Sequence, residues 1–448
     1  MSLLDQIRNA GVIGAGGAGF PTHVKLDCNV EYFIVNGAEC EPLLFTDKYI
    51  MNTHPDEIME AIDSAGAAVS AKKIVIAVKG VNEKEISSLN NAIKKRNSPA
   101  EIFQLDNYYP AGDEQMLVYD VTGRVVPPGG LPLNVGVVVS NTATMLSVYE
   151  AMNEQPVTRK TLTVTGMVRH PMILRVPIGT TFAECIKACG GNELESFKVI
   201  DGGPMMGKVV QNISHTYVTK KTSGIIVIPE TGNFDSMLSE LSVEKILNRA
   251  KSACIQCSFC TDLCPRQLIG HRLRPHMIMR RLSFTDLSDK SAQELILETL
   301  EEALICCECG ICETYACPMN LSPRQVNIFV KSMLSGRRPT SQSPPFTPQS
   351  MRDYRKIFPY RIMARMGLAE LYDKKPEGFL EIQTDSVHIP LKQHIGAPAT
   401  PIVAINEKVI EGQLIAHMAP GELGANIHAS ISGVVTECSG FIAIKGVI

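Results

Sequence analysis

The chain has 448 residues, 45% of them hydrophobic and 20% charged, with a formal net charge of −3. That length is more than one hydrophobic core supports, about 250–300 residues, so several domains are expected. The charge gives nucleic acid no electrostatic footing, the aromatics are not interleaved with basic residues, and no apolar run reaches the roughly 18–20 residues that span a bilayer.

Residues 2–9 read as a short helix, followed by G-A-G-G-A-G-F-P-T-H-V-K at 14–25. Gly14, Gly16 and Gly19 satisfy G-x-G-x-x-G, but a dinucleotide-binding turn needs a strand before it and a helix after it. Here a helix precedes it and Pro21 opens an irregular stretch, so the ordinary Rossmann reading fails. What survives is a glycine loop whose amides can approach a phosphate, with Lys25 nearby to add charge. Y-F-I-V-N (32–36) reads as a strand, and Asn36, Glu39 and Glu41 follow its end, where α/β folds place ligand groups. Alternation continues with a helix over 55–69, a strand at 73–79, a helix at 83–96 and a strand at 101–105. Y-P-A-G-D-E-Q (109–115) opens another helix, P-P-G-G makes a turn at 127–130, and a strand at 135–141 enters a helix reaching 153. Residues 1–156 are therefore expected to form a layered α/β domain.

From 157 to 240 the pattern changes. T-L-T-V-T-G-M-V and M-I-L-R-V-P-I-G-T alternate as strands, T-F-A-E-C-I-K-A-C-G-G is a helix with a glycine stop, and a strand pair follows around F-K-V-I-D-G-G-P-M-M-G-K-V-V. Cys185 and Cys189 lie four apart on that helix; they could hold a metal, but one buried face is the simpler expectation. Met205 and Met206 sit beside the Gly-Gly-Pro turn, where they could line a cofactor site, core filling being the simpler expectation.

Residues 241–335 are expected to be helical, and eight of the fourteen cysteines form two sets there. The first is Cys254, Cys257, Cys260 and Cys264 before Pro265; the second is Cys306, Cys309, Cys312 and Cys317 before Pro318. C-x2-C-x2-C lets one tight loop cap three corners of a 4Fe–4S cubane, and in two-cluster ferredoxins the cysteine before the proline ligates the other cluster. Cys254, Cys257, Cys260 and Cys317 are thus expected on one cluster, and Cys306, Cys309, Cys312 and Cys264 on the other. Zinc sites pair two short knuckles, and disulfides need an oxidising compartment, for which no signal peptide is visible. Two details depart from the usual run: four residues rather than three separate Cys312 from Cys317, and Cys307 is a spare that could replace Cys306. Arg266, Arg272, Arg274, Arg280 and Arg281 form a basic group after the first set, a solvated face or a charge near an anionic cluster.

Residues 336–350 are a Pro/Ser-rich linker expected to be extended. Within the 336–385 connection, Tyr354 to Leu371 reads as a basic amphipathic helix; docking on its own chain is more economical than touching a membrane. Residues 386–448 are β-rich with glycine turns, like a lipoyl-type barrel-sandwich hybrid. Lys408 and Lys445 lie away from the expected hairpin tip at 418–424, so docking rather than a covalent swinging arm is expected.

Four segments, G-A-G-G-A-G-F-P-T-x-x-K, N-G-A-E-C-E-P, Y-P-A-G-D-E and S-N-T-A-T, resemble the flavin-site segments of the NADH-binding subunit of respiratory complex I. They are still more similar to the RnfC component of Rnf electron-transport complexes. The resemblance implies FMN contacts at Gly14, Gly16, Gly17, Lys25, Asn36, Glu39, Glu41, Tyr109, Gly112, Asp113, Glu114, Asn141 and Thr144. Ala15 and Ala38 stand where complex I has an arginine and an acidic residue. The implied fold is a multidomain α/β chain: a complex I flavin-subunit-like domain, a β-grasp (SLBB) module, a helical two-cluster ferredoxin-like domain and a C-terminal hybrid barrel.

In RnfC proteins that barrel comes first; here it follows the clusters. This order and the wording C-C-E-C-G-I-C-E-x-Y-A-C-P-M resemble the cobalamin reductases of propanediol-utilisation microcompartments. That resemblance implies an enzyme passing electrons from NADH through FMN and two 4Fe–4S clusters to cob(III)alamin. It implies corrinoid-handling partners (an adenosyltransferase, a diol dehydratase) and a cytoplasmic location within a microcompartment shell, with homo-oligomerisation open. No D-x-H-x-x-G stretch occurs, so a tightly held base-off corrinoid is not expected. An RnfC-like protein feeding another reductase and a non-catalytic electron relay stay open as alternatives.

Overall fold

A computed structural model of the chain describes residues 1–230, 241–286, 288–339, 345–419 and 421–446. Strands β1 (Tyr32–Gly37), β2 (Lys73–Lys79), β3 (Glu101–Leu105) and β4 (Val137–Asn141) form an all-parallel sheet in the order β3-β2-β1-β4. Their apolar runs are explained by burial on both faces. Phe33 and Val35 of β1 join one core, shared with the helices Leu3–Ala10, Pro55–Ala68 and Thr142–Met152. Ile34 faces the other, under the helix Glu114–Thr122. A further helix, Thr46–Thr53, was not legible, because T-D-K-Y-I-M-N-T buries little beyond Ile50 and Met51. The strand order reverses between β1 and β4, and the crevice at the carboxyl ends of such strands is where open α/β sheets bind ligands.

Strands β5 (Arg159–Gly166), β6 (Met172–Pro177), β7 (Phe197–Asp201), β8 (Lys208–Val210) and β9 (Gly224–Pro229) build a mixed sheet. Over it lies the helix Phe182–Ala188, started by a Thr181–Glu184 capping box. Cys185 and Cys189 are fully buried in that core beside Phe182 and Leu162, so the pair packs. The edge of this sheet corrects the sequence reading. β10 (Gly378–Glu381), within the expected linker, pairs in parallel with β6. Residues 231–240, the end of the expected middle domain, lie outside the described residues.

The helices Val243–Ala253, Pro275–Ser283, Lys290–Glu301 and Pro323–Met333 enclose the cysteine-bearing core. The additional residue between Cys312 and Cys317 is absorbed by a π-helical turn, Ile311–Ala316, a one-residue insertion of the kind found at functional sites. Residues 340–344 of the linker lie outside the described residues. The rest is held on the chain's own surface: Gln349 N–H donates to the Leu268 carbonyl at 3.0 Å, and Phe346 meets the edge of His271. The amphipathic segment forms the helix Pro359–Met366, whose Ile362, Met363 and Met366 are buried with Ile311, Ala316, Leu43 and Leu44. It docks on its own chain.

The C-terminal unit contains β11 (Ser386–Pro390), β12 (Thr400–Pro401), β13 (Lys408–Val409), β14 (Leu414–His417), β15 (Ile427–His428), β16 (Gly433–Cys438) and β17 (Phe441–Gly446). They form two sheets, β11-β17-β16-β13 and β12-β14-β15. Its core runs on into that of the N-terminal domain. Lys220 fastens this junction: its buried ammonium donates to the carbonyls of Gly11 and Asn426, each at 2.7 Å. Lys408 and Lys445 are strand residues; Pro420, in the expected tip, lies outside the described residues.

Candidate functional site

The crevice predicted by topology is built from the residues that end β1 and β4. Asn36 and Asn141 are register partners. Asn36 Nδ2 donates to the Gly112 carbonyl at 2.9 Å, while its Oδ1 accepts from Ala38 N–H. Asn141 caps the helix Thr142–Met152 through Oδ1, and its Nδ2 donates to Asp47 at 2.8 Å. Thr144, on that helix, accepts from the Ala15 amide at 2.9 Å and pins the glycine loop over the crevice. The loop must be bare there: a Cβ on Gly16 would stand 3.2 Å from the Asn141 side chain, and one on Gly112 2.9 Å from Cys40 Cβ. Gly17 faces open space.

Acidic groups line the floor. Glu39 has φ 39°, a left-handed conformation uncommon outside glycine, and accepts from the Asp47 and Lys48 amides. Burial, then the Asp47 charge, pushes its carboxyl up to about 8. Glu41 accepts from Met205 N–H at 3.0 Å, and burial pushes it up to about 7. Burial brings the Lys160 ammonium down to about 8, with Asp47 and Asp201 opposing. Lys25 and Glu114 pair at 2.8 Å nearer solvent.

Tyr109 and Asp113 reach across to the cysteine domain. Tyr109 is buried and its hydroxyl donates to the Cys309 carbonyl at 2.8 Å. Asp113 caps the helix Glu114–Thr122 and also takes a two-pronged ion pair from Arg266, at 2.5 and 3.0 Å. Burial works against the guanidinium's charge, yet the Asp113 carboxylate, by its charge and its hydrogen bonds, outweighs it and keeps the group charged. Arg324 spans the same seam, donating to the Met205 carbonyl and to Glu313.

The thiols of the two runs interleave. Burial, then neighbouring Cys317, Cys257 and Cys254, pushes Cys260 up to about 12. Cys264 instead neighbours Cys307 and Cys306, and Cys312 neighbours Cys306 and Cys264. A hollow is lined by Cys264, Cys306, Cys307, Cys309 and Cys312. Among the described residues no three such groups converge as a single metal ion requires. A cubane is held at separate corners by thiolates, a demand these sets fit. Cys306 Sγ accepts from Glu308 N–H and Asn327 Nδ2, as a cluster ligand would. The Cys307 thiol turns to Cys309 and Arg266.

The structure thus brings Gly16, Asn36, Glu39, Gly112, Asn141 and Thr144 together at the ends of β1 and β4, with Gly14 and Gly17 on the same glycine loop and Glu41 facing Met205 and Tyr109. Lys25 and Glu114 lie at the solvent side, and Tyr109 and Asp113 at the seam. Sequence reading missed Asp47, Lys160 and Arg324, and for Arg266 it missed the pairing with Asp113. Period-two alternation in β5 carried a signal for Lys160, which shares a buried face with Leu162 and Val164. Asp47 lay in the unrecognised helix.

Four domain families match the chain: the Nuo51 FMN-binding domain over residues 7–150, the SLBB domain over 161–209, the 4Fe-4S dicluster domain over 253–322 and the RnfC barrel sandwich hybrid domain over 380–446. The cobalamin reductase PduS of Citrobacter freundii is 39% identical over 437 residues, covering 97% of this chain and 94% of that protein. Its counterpart in Salmonella typhimurium is 39% identical over 436 residues, with the same coverage. The C component of the Na(+)-translocating ferredoxin:NAD(+) oxidoreductase complex of Acetobacterium woodii is 37% identical over 269 residues, 59% of this chain and 57% of that one. An NAD+-reducing NiFe hydrogenase shares the fold with a TM-score of 0.50 and 19% identity, over 75% of this chain and 62% of that chain. The chain belongs to the PduS cobalamin reductase family and is an electron-transfer oxidoreductase with an FMN domain and a 4Fe–4S dicluster domain.

Proposed function

We propose that the chain takes electrons from NADH and delivers them to a corrinoid, acting as a cob(III)alamin reductase. The observation that carries this is the shared wall: Tyr109 leaves the flavin-type crevice and donates directly to the backbone of the second cysteine run. FMN supplies the conversion of a hydride pair into single electrons, and 4Fe–4S clusters carry electrons singly.

Gly14, Gly16 and Gly17 would hold the flavin with bare backbone, Asn36 and Asn141 with amides, and Thr144 by fixing the loop. Lys25 and Glu114 would border its open side; Glu39, Glu41, Tyr109, Gly112 and Asp113 would complete the surround. Glu39, pushed up to about 8 by burial and then by the Asp47 charge, can keep a proton beside the crevice at neutral pH; burial also raises Asp47. Cys254, Cys257, Cys260 and Cys317 would hold one cluster, and Cys264, Cys306, Cys309 and Cys312 the other. Arg266 and Arg324 close the seam against water and set positive charge beside the second set. The relatives named cobalamin reductase support the corrinoid as acceptor; an adenosyltransferase or diol dehydratase as partner and a microcompartment as location are what the family resemblance implies. No described helix is long and apolar enough to cross a membrane.

Anaerobic stopped-flow tests the reading. NADH should bleach the flavin absorbance and added cob(III)alamin should restore it. Bleaching without restoration by the corrin would instead favour an RnfC-like feeder of another reductase; no bleaching would leave only a relay.

A further inference from the structure

The two cysteine sets are placed unequally. Of the two expected clusters, the one assigned Cys264, Cys306, Cys309 and Cys312 has three buried ligands, Cys306 being half-buried, and its surroundings include Tyr109, the Asp113–Arg266 pair and Met205; the other has one buried ligand, Cys317. Cys254, Cys257 and Cys260 of the first are only half-buried. Cys260 neighbours Cys312, so the first set continues outward from the second. Within its loop stand two large apolar side chains facing water, Ile255 at 61% and Phe259 at 51% exposure. Cations border that loop. Arg249 donates to the Met319 and Asn320 carbonyls and Arg365 to the Cys317 carbonyl and Asn320 Oδ1. Arg355 donates to the Asp262 carbonyl and pairs with the Asp262 carboxylate at 3.7 Å, so Arg249 and Arg365 carry the rim's positive charge. Lys251 is exposed three residues before Cys254.

An apolar centre inside a charged rim is the anatomy of a protein interface, and complementary charge speeds encounter. We infer that this face is the docking surface for an acidic, electron-accepting protein. The inference rests on the reading of the chain as an electron-transfer oxidoreductase. It adds that the acceptor is reduced while protein-held, at the first cysteine set. One electron leaves the chain per encounter and lowers the acceptor's metal by one oxidation state; no bond forms or breaks.

The probes are two haem proteins of opposite charge, acidic cytochrome b5 and basic cytochrome c, titrated calorimetrically against the iron-loaded chain. Cytochrome b5 should bind, and its Kd should weaken at least tenfold between about 20 mM and about 300 mM salt, as the rim charges are screened. Lys251→Glu and Phe259→Glu should each weaken it about tenfold at low salt, and slow cytochrome b5 reduction by the dithionite-reduced chain in parallel. Iron content and NADH bleaching should stay at the parent level in both variants. Lys251 lies outside the ligand loop, so its variant reports on docking even where Phe259→Glu disturbs the loop. Salt-independent binding, cytochrome c binding as tightly as cytochrome b5, or unchanged Kd in Lys251→Glu would overturn the inference. Because dithionite replaces the nicotinamide and a cytochrome replaces the corrinoid, loss of NADH bleaching or of corrin reduction refutes the proposed route without touching this surface.

Discussion

Replacing Asp113 by asparagine isolates the charge that joins the flavin-type domain to the cysteine domain. Asparagine caps a helix about as well as aspartate, so the start of Glu114–Thr122 is kept. What is lost is the partner of Arg266, whose side chain is 9% exposed against 15% for Asp113. Breaking a buried pair from one side leaves an uncompensated charge and costs about 3–5 kcal/mol. At about 1.4 kcal/mol per decade, local opening of the seam becomes roughly 10²–10³-fold more frequent. A chain of several domains has no single unfolding free energy, so segment-resolved hydrogen exchange is the suitable assay. Amides of residues 114–122 and 266–268 should exchange faster by that factor, while those of the helix Pro55–Ala68 keep their protection. Adding Arg266→Met should recover much of the loss, because an apolar pair of similar volume carries no stranded charge. Unchanged exchange at 114–122 in Asp113→Asn, with flavin depleted instead, would refute the reasoning and return Asp113 to the flavin alone.

Cys257→Ala and Cys309→Ala should each remove about half of the bound iron, and Cys307→Ser should remove none; iron and acid-labile sulfide assays with EPR of the reduced protein decide this. Gly16→Leu should abolish flavin retention while leaving the circular dichroism unchanged, since the added side chain enters the crevice beside Asn141. Glu41 holds a proton in the folded chain up to about pH 7, whereas the unfolded chain loses it near 4.5. Its contribution to stability therefore falls as pH rises from about 4.5 to about 7, by an amount on the order of 3 kcal/mol. Hydrogen-exchange protection of the segment around Glu41, corrected for the intrinsic pH dependence of exchange, should differ between pH 5 and pH 8 in the parent and converge in Glu41→Gln; an undiminished gap would contradict this origin.

What was legible in the sequence was whatever a short motif or a strong period encodes. The apolar runs of β1, β2 and β4 gave a sheet buried on both faces, and the cysteine spacing gave the interleaving of the two runs. The helix Thr46–Thr53 was hidden because a helix carrying one buried pair has no periodic stripe to read. With it went Asp47, the acid held by Asn141. Asp113 illustrates another limit: its place in Y-P-A-G-D-E identifies a site, but not that an arginine some 150 residues later, Arg266, occupies both of its oxygens. Such long-range pairing has no local signature, and neither does the capture of residues 378–381 by a sheet begun two hundred residues earlier.

That captured strand makes the iron-bearing region an insert rather than an appendage. The chain leaves the β-grasp sheet after β9, an interior strand, builds the cysteine domain, and comes home to an edge of the same sheet as β10. Held by β10 at its return and by the Asp113–Arg266 pair and the Tyr109–Cys309 hydrogen bond at the seam, the insert has little room to pivot, so its acceptors must come to it.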